Sequence, residues 1–418
     1  MAEENPDLNV KFIHTQIEKF LPTIQAGEFD LVLGLSVLHN ISKAIGLETV
    51  QNLMAELCKK IPCGVFEYAL ESVHKDYIPQ DYRDFTPGYT FAKVLSYSTS
   101  RDSTNIPRPI VFASNKYCYF DELGLLKIDK VSYNVHSYLA KTDCMHFYCG
   151  DKFVKFFYAK TQDSFIKAQQ EIQFLQELGG QNNLPKLYAA YAERDEFGIR
   201  FFIVRDKIEG ITLQEKIASG ENFNRWDIIK QALEWMVFLE SHNYYDGDIG
   251  TNNFIYGDDG KLYLIDYEEM WHQPIVLCWP YRVNMLFLIF MNEVLNPDLR
   301  KFAFNRRPRL LTELKKHVTQ KQYEEILALK DTEKYFARLH EILFQDSHEN
   351  NLKAEYNFSD LEILTLEKYL EDVAQRLQEY QNYFEQINNL FYTMSLQQKK
   401  IEELENIINK KFGGFIEQ

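Results

Sequence analysis

The sequence predicts a mixed α/β and α+β protein in three parts, the last an α-helical coiled coil. Three observations predict it. Apolar strands and amphipathic helices alternate in the first third. A β-rich stretch gives way to helices in the middle, and an unbroken apolar stripe at 3–4 spacing runs near the end. The composition shifts place the parts at 1–127, 128–345 and 360–412, with a polar linker at 346–359.

In the first part, Phe29-Asp30-Leu31-Val32-Leu33-Gly34-Leu35 is a nearly continuous apolar run, the pattern of a strand buried on both faces of a parallel sheet. A helix is expected from Gly46 to Lys60, where Leu47, Val50, Leu53, Met54 and Leu57 share one face. Gly64-Val65-Phe66-Glu67-Tyr68 reads as the next strand, completing an α/β unit. Phe91 to Tyr97 and Arg108 to Ala113, separated by a polar loop, read as an antiparallel pair closing that sheet.

The middle part opens with a hairpin signal. Met145 to Cys149 and Lys152 to Tyr158 flank Gly150-Asp151, and a helix is expected from Ser164 to Leu178. In the last part Ile363, Leu366, Leu370, Val373, Leu377, Tyr380, Phe384, Ile387, Phe391 and Met394 form the stripe, with Glu, Gln, Lys and Arg outside it.

With 46 basic and 61 acidic side chains the net charge is −15, which argues against bulk nucleic-acid binding, since phosphate contacts need clustered Lys and Arg. The six cysteines, Cys58, Cys63, Cys118, Cys144, Cys149 and Cys278, form no Cys-x-x-Cys pair and no metal spacing with His. They read as reduced thiols. The first residues, MAEENPDLNVKF, lack the basic and apolar regions of a signal peptide. The most apolar stretch, Met285 to Met291, is far short of the roughly 20 residues that cross a bilayer. A cytoplasmic protein is expected, docked at most peripherally to the inner membrane face.

The chemistry concentrates in Asp246-Gly-Asp-Ile-Gly-Thr-Asn-Asn-Phe-Ile255 and Leu262-Tyr-Leu-Ile-Asp-Tyr267. Asp248 and Asn253 are five residues apart, and Asp266 lies thirteen further on, across a hairpin turned by Gly257-Asp-Asp-Gly260. Phosphoryl transfer needs a carboxylate to orient the attacking hydroxyl and two oxygen ligands to hold Mg²⁺ against the phosphates. Upstream, Lys155 sits in an apolar strand, and Glu171 follows in the next helix as its partner, with Glu177 as a rival.

These residues resemble the protein-kinase-like fold, bilobal and in its small-molecule and carbohydrate kinase style, over about 128–345. The resemblance implies Asp248 as the catalytic aspartate and Asn253 and Asp266 as Mg²⁺ ligands. It implies Lys155 on the α- and β-phosphates of ATP with Glu171 behind it, and adenine on the backbone of Asp206 and Ile208. Asp246 stands where the family has His, Glu268 where it has the Gly of Asp-Phe-Gly, and Gly250 where it often has Lys or Arg. No Gly-x-Gly-x-x-Gly precedes Lys155.

The first part is similar to the C-terminal half of a class I, Rossmann-like S-adenosylmethionine methyltransferase. Phe29 to Ile41 is close to that family's fourth-strand motif, and Val10 to Phe20 to the strand and turn before it. The cofactor's Gly-rich turn is missing, so S-adenosylmethionine would be used only if the missing motifs were supplied. Methyltransferase, kinase and coiled coil in this order resemble the bifunctional enzymes that terminate polymannose O-antigen chains.

That resemblance implies an ATP- and Mg²⁺-dependent kinase acting on a glycan or glycolipid acceptor, a homo-trimer, and a glycosyltransferase partner docking through the coiled coil. Two alternatives stand beside it. One is a scaffold carrying a pseudokinase and a methyltransferase relic. The other is a protein Ser/Thr kinase. His39 reads as a packing residue rather than a substrate contact. The basic cluster Arg300, Lys301, Arg306, Arg307 and Arg309 fits either an anionic glycolipid or membrane surface, or a solvated helix flank.

Overall fold

Short apolar strands at both ends of the first 209 residues close on one another, and the physical reason is aromatic burial. In the computed structural model the described residues are 13–35, 37–68, 83, 86–98, 107–133, 144–194, 198–272, 277–278, 281–295, 314, 316–329 and 334–344. The chain divides into two compact units, Met1–Glu209 and Gly210–Gln418.

The first unit begins with a single helical turn, α1 (Ile17–Phe20). Its first sheet consists of β1 (Val32–Gly34), β2 (Cys63–Glu67), β3 (Phe91–Ser98) and β4 (Arg108–Ser114), in the order β1-β2-β4-β3. β1 and β2 are parallel, while β2–β4 and β4–β3 are antiparallel, as the sequence predicts for a pair closing the sheet. Between β1 and β2 lie α2 (Leu38–Ile45) and α3 (Leu47–Lys60), separated by Gly46 at φ 89°, a left-handed position that ends one helix and starts the next. The predicted stripe on α3 is buried at Val50, Met54 and Leu57.

One expectation is corrected here. The run Phe29–Leu35 forms a strand only at Val32–Gly34, and it is not buried on both faces: Leu31 is 48%, Leu33 63% and Leu35 48% exposed. β1 is the terminal strand of its sheet, so among the described residues nothing covers its outer edge. An apolar run states what a strand can bury, and its neighbours decide what it does bury.

The unit continues through a hairpin of β5 (Tyr117–Phe120) and β6 (Gly124–Lys127) into a second sheet. This holds β7 (Lys130–Tyr133), β8 (Cys144–Cys149), β9 (Lys152–Ala159), β10 (Leu187–Arg194) and β11 (Ile199–Asp206), in the order β10-β11-β9-β8-β7. The helix α4 (Gln162–Leu178) follows β9, its start set by Thr161, whose hydroxyl accepts the Ser164 N–H in a reciprocal cap.

The two sheets share one core. Phe91 and Phe112 of the first pack with Cys118 and Phe120 of the hairpin and with Phe147, Val154, Phe156 and Phe202 of the second. The Phe91 ring lies 5.7 Å from that of Phe147 and 5.6 Å from that of Phe202, edge-on or tilted as ring quadrupoles favour. Glu193 in β10 accepts the Val94 N–H of β3 at 3.0 Å, tying the sheets at their rim.

The second unit contains β12 (Ile211–Thr212), α5 (Leu213–Ala218), α6 (Arg225–Ser241), β13 (Tyr245–Asp246), β14 (Phe254–Tyr256), β15 (Leu262–Leu264) and β16 (Met270–Trp271). Asn224 caps α6 by accepting the N–H groups of Trp226 and Asp227. α6 holds the β14–β15 hairpin: the Trp235 indole donates to the Leu262 carbonyl at 2.8 Å, and the Gln231 amide oxygen accepts the Leu262 N–H at 2.7 Å.

Helix α7 (Val283–Leu295) buries Leu286, Phe287, Leu288, Phe290 and Met291, so the most apolar stretch of the sequence is core. α8 (Gln320–Ala328) and α9 (Tyr335–Phe344) complete the described part. No described helix is long and apolar enough to cross a membrane. The linker at 346–359, the coiled-coil stripe and the basic cluster at 300–309 lie outside the described residues.

Candidate active site

The candidate residues fall into two sets, one within each unit. In the first unit, β9 runs in the middle of its sheet, with Lys155 opposite His146 of β8 and Ile203 of β11. Lys155 is buried, and its Nζ donates to Glu171 Oε2 at 2.7 Å. Glu171 sits on the buried stripe of α4 with Ala168, Phe174, Leu175 and Leu178. The rival Glu177 is exposed and accepts from Gln173 four residues earlier, so helix periodicity separates the two candidates.

Asp206 ends β11. Its carboxylate accepts the Lys186 N–H and the Tyr188 hydroxyl, each at 2.9 Å, and its own N–H donates to the Lys186 carbonyl at 3.1 Å. Ile208 is half-buried in the segment that leads from β11 to the division between the units at Glu209 and Gly210.

In the second unit the loop between β13 and β14 carries Asp248 and Asn253. Asn253 is buried, and its Nδ2 donates to both the Asp248 carbonyl at 2.6 Å and the Asp248 carboxylate at 3.1 Å. The five-residue spacing thus closes a tight loop with Asn253 as its clasp. Thr251 reinforces it through its carbonyl, which accepts the Gln214 N–H of α5 at 2.9 Å.

Asp266 is brought alongside by the hairpin. β14 and β15 are antiparallel, with Phe254 opposite Leu264, and one step further Ile265 N–H donates to the Asn253 carbonyl at 3.0 Å. Asn253 and Asp266 therefore leave the same end of one ladder, as the Gly257–Gly260 turn predicts. Asp266 is half-buried, with Glu268 N–H directed at its Oδ1 at 3.5 Å.

Sequence reasoning treats Asp246 only as a departure from a motif, and here it misses a contact. Asp246 is 2% exposed, and its Oδ1 accepts the Asp248 N–H at 2.8 Å. Burial holds its carboxyl well above the usual carboxylate range, and the nearby carboxylates of Asp248, Asp266 and Glu269 push the same way against the stabilising N–H. The Asp-Gly-Asp spacing is the signal that could have found it. His39 lies half-buried in α2.

No family model matches the chain. Two Escherichia coli proteins, each an "O-antigen chain terminator bifunctional methyltransferase/kinase WbdD", are 25% identical to it over 309 residues, 70% of this chain. The chain spans only 43% of the length of these curated relatives. Solved structures agree in fold. WbdD with its C-terminal bundle ordered is 21% identical, with a TM-score of 0.68 over 96% of this chain and 82% of that one. A high-resolution WbdD crystal structure is 20% identical, with a TM-score of 0.63 over 88% and 79%. The fold is therefore that of the bifunctional kinase-methyltransferases. In sequence and in fold the chain is similar to WbdD.

Proposed function

We propose that the chain is an ATP- and Mg²⁺-dependent phosphotransferase acting on a saccharide hydroxyl, the terminal sugar of a lipid-linked polysaccharide such as O-antigen. The observation that carries this reading is the Asn253 amide clasping Asp248 at one end of the ladder that also delivers Asp266. The WbdD relatives are O-antigen chain terminators, which supports the acceptor class.

Each residue then has a task. Asp248, oriented by Asn253 Nδ2, accepts the proton of the attacking sugar hydroxyl and aims its oxygen. Lys155, held by Glu171, places a positive charge on the α- and β-phosphates. The backbone of Asp206 and Ile208 receives adenine. The Asn253 amide oxygen and the Asp266 carboxylate are hard oxygen donors of the kind Mg²⁺ takes; with Nδ2 committed to Asp248, an ion would bind Oδ1 in place of the Asn252 amide that it accepts at 2.6 Å. A bound Mg²⁺ would neutralise phosphate charge there.

Asp248→Asn should lower kcat by about 10²–10⁴-fold with the fold intact. Asp266→Ala should remove Mg²⁺-dependent nucleotide binding. Full turnover by Asp248→Asn would sink the assignment and leave the pseudokinase scaffold as the better reading.

The given sequence carries no Gly-rich turn of the kind that holds S-adenosylmethionine, so we propose no methylation by these residues alone. Calorimetric titration showing micromolar binding of that cofactor would reverse this. We infer from this proposed acceptor a location at the inner membrane face, where a trimer built on the 360–412 stripe would present several sites to one glycolipid surface and offer a docking face to a glycosyltransferase.

A further inference from the structure

The loop that carries Asp248 is held from two sides. On one side is Asn253. On the other is Asp246, a residue to which the phosphotransfer reading assigns no task. Asp246 lies in β13, paired with Met270 of β16, and the next residue, Gly247, donates its N–H to the Glu269 carbonyl at 2.8 Å. Both backbone contacts fix where its side chain starts, and the side chain ends on the Asp248 amide.

We propose that Asp246 is a positioning residue for phosphotransfer: its Oδ1 pins the backbone N–H of Asp248 and so sets the direction of the Asp248 carboxylate. The proposal rests on the phosphotransfer reading of Asp248. Two features of the geometry carry it. Oδ1 is committed at 2.8 Å to the residue whose orientation matters. Oδ2 is buried without a hydrogen-bond partner among the described residues.

An ionised carboxylate left in that state costs far more than a neutral acid, because a buried charge needs a partner and a neutral group needs only modest compensation. Asp248, Asp266 and Glu269 add like charge around it. The side chain therefore works as a neutral acceptor, a role an amide can reproduce. Its isostere is asparagine, whose Oδ1 offers the same acceptor to the same N–H. Alanine offers none and deprives the half-buried Asp248 amide of that acceptor.

The test compares wild type, Asp246→Asn and Asp246→Ala in full-length protein, by steady-state ATP turnover and by amide hydrogen exchange at Asp248. Asp246→Ala should lose about 10²-fold in kcat with KM for ATP nearly unchanged, while Asp246→Asn stays within a few-fold of wild type. Exchange at Asp248 should be slow in wild type and Asp246→Asn and fast in Asp246→Ala.

If Asp246→Ala turns over like wild type, or Asp246→Asn fails as badly as Ala, the proposal is overturned. Fast exchange at Asp248 in the wild-type protein overturns it as well. An inactive wild type that keeps the slow–slow–fast exchange pattern sinks the phosphotransfer reading, and with it the catalytic purpose of the contact. A mere loss of folding would appear as fast exchange across α6 too, and the Asn variant then decides.

Discussion

Lys155 Nζ and Glu171 Oε2 meet at 2.7 Å inside the first unit, both side chains withdrawn from water, the glutamate completely. A buried pair of this kind is poor evidence of added stability, because desolvating two charges offsets most of their attraction. It is better evidence of a required position. Removing one partner leaves a buried charge without its 2.7 Å counter-ion.

Glu171→Ala should therefore cost about 3–5 kcal/mol of unfolding free energy, whereas the double change Lys155→Met with Glu171→Leu should be close to neutral in stability. Both variants should lack ATP turnover. Urea denaturation followed by tryptophan fluorescence separates the two effects. A double variant that is stable and still turns over ATP would show the pair to be structural only.

Phe91 ties the first sheet to the second. It is 1% exposed and touches the rings of Phe112, Phe120, Phe147 and Phe202. Phe91→Ala should cost about 3–5 kcal/mol, through lost transfer energy and the cavity left behind. Because β8 and β9 share that core, ATP affinity should fall together with the melting temperature of the unit. An unchanged melting temperature would mean that the two sheets fold independently.

Glu240, near the end of α6, accepts the N–H groups of Phe336 at 3.2 Å and Ala337 at 3.1 Å, anchoring the first turn of α9. Burial raises its carboxyl above its ordinary value of 4.5, with the backbone N–H groups acting in the opposite direction. The folded chain thus holds this proton more tightly than the unfolded one. The stability it contributes is full below pH 4.5 and is lost as the pH rises through the raised folded value. The unfolding free energy of wild type relative to Glu240→Gln should fall as the pH rises from 4.5 through the raised folded value. Denaturation curves across that range check this, and a flat or rising difference would contradict it.

The stripe from Ile363 to Met394 has ten apolar positions at helical spacing, aromatic toward its C-terminal end at Tyr380, Phe384 and Phe391. One helix alone cannot bury them, and exposing them costs several kcal/mol at about 25 cal/mol per Å². Light scattering should give a trimer for the full chain and a monomer for a chain ending at Asp346. Equal monomer masses for both would show that the helix folds back on its own chain.

Much of the candidate site is legible because its signals are short-range. Gly257 to Gly260 turns a hairpin whatever lies around it, and that turn brings Asn253 and Asp266 to one end of a ladder. The sequence leaves Glu171 and Glu177 as rivals, and the structure selects Glu171, which shares the buried face of α4 with Ala168, Leu175 and Leu178. The hairpin of β8 and β9 is equally local, set by Gly150-Asp151 between two alternating runs.

By itself, then, the sequence determined the hairpin of β8 and β9, the helices α3 and α4 and the Asp248–Asn253–Asp266 spacing, all governed by backbone geometry over a few residues. Tertiary structure decided three things that such geometry does not reach. It left Leu33 exposed on an edge strand although its run reads as doubly buried. It drew Phe91 against Phe147 and Phe202 of another sheet, each more than fifty residues further along the chain, because apolar burial is non-directional and follows whichever surfaces meet. And it turned the Asp246 carboxyl inward onto the Asp248 amide, since the cost of burying a carboxyl depends on the groups that surround it and not on its neighbours in sequence.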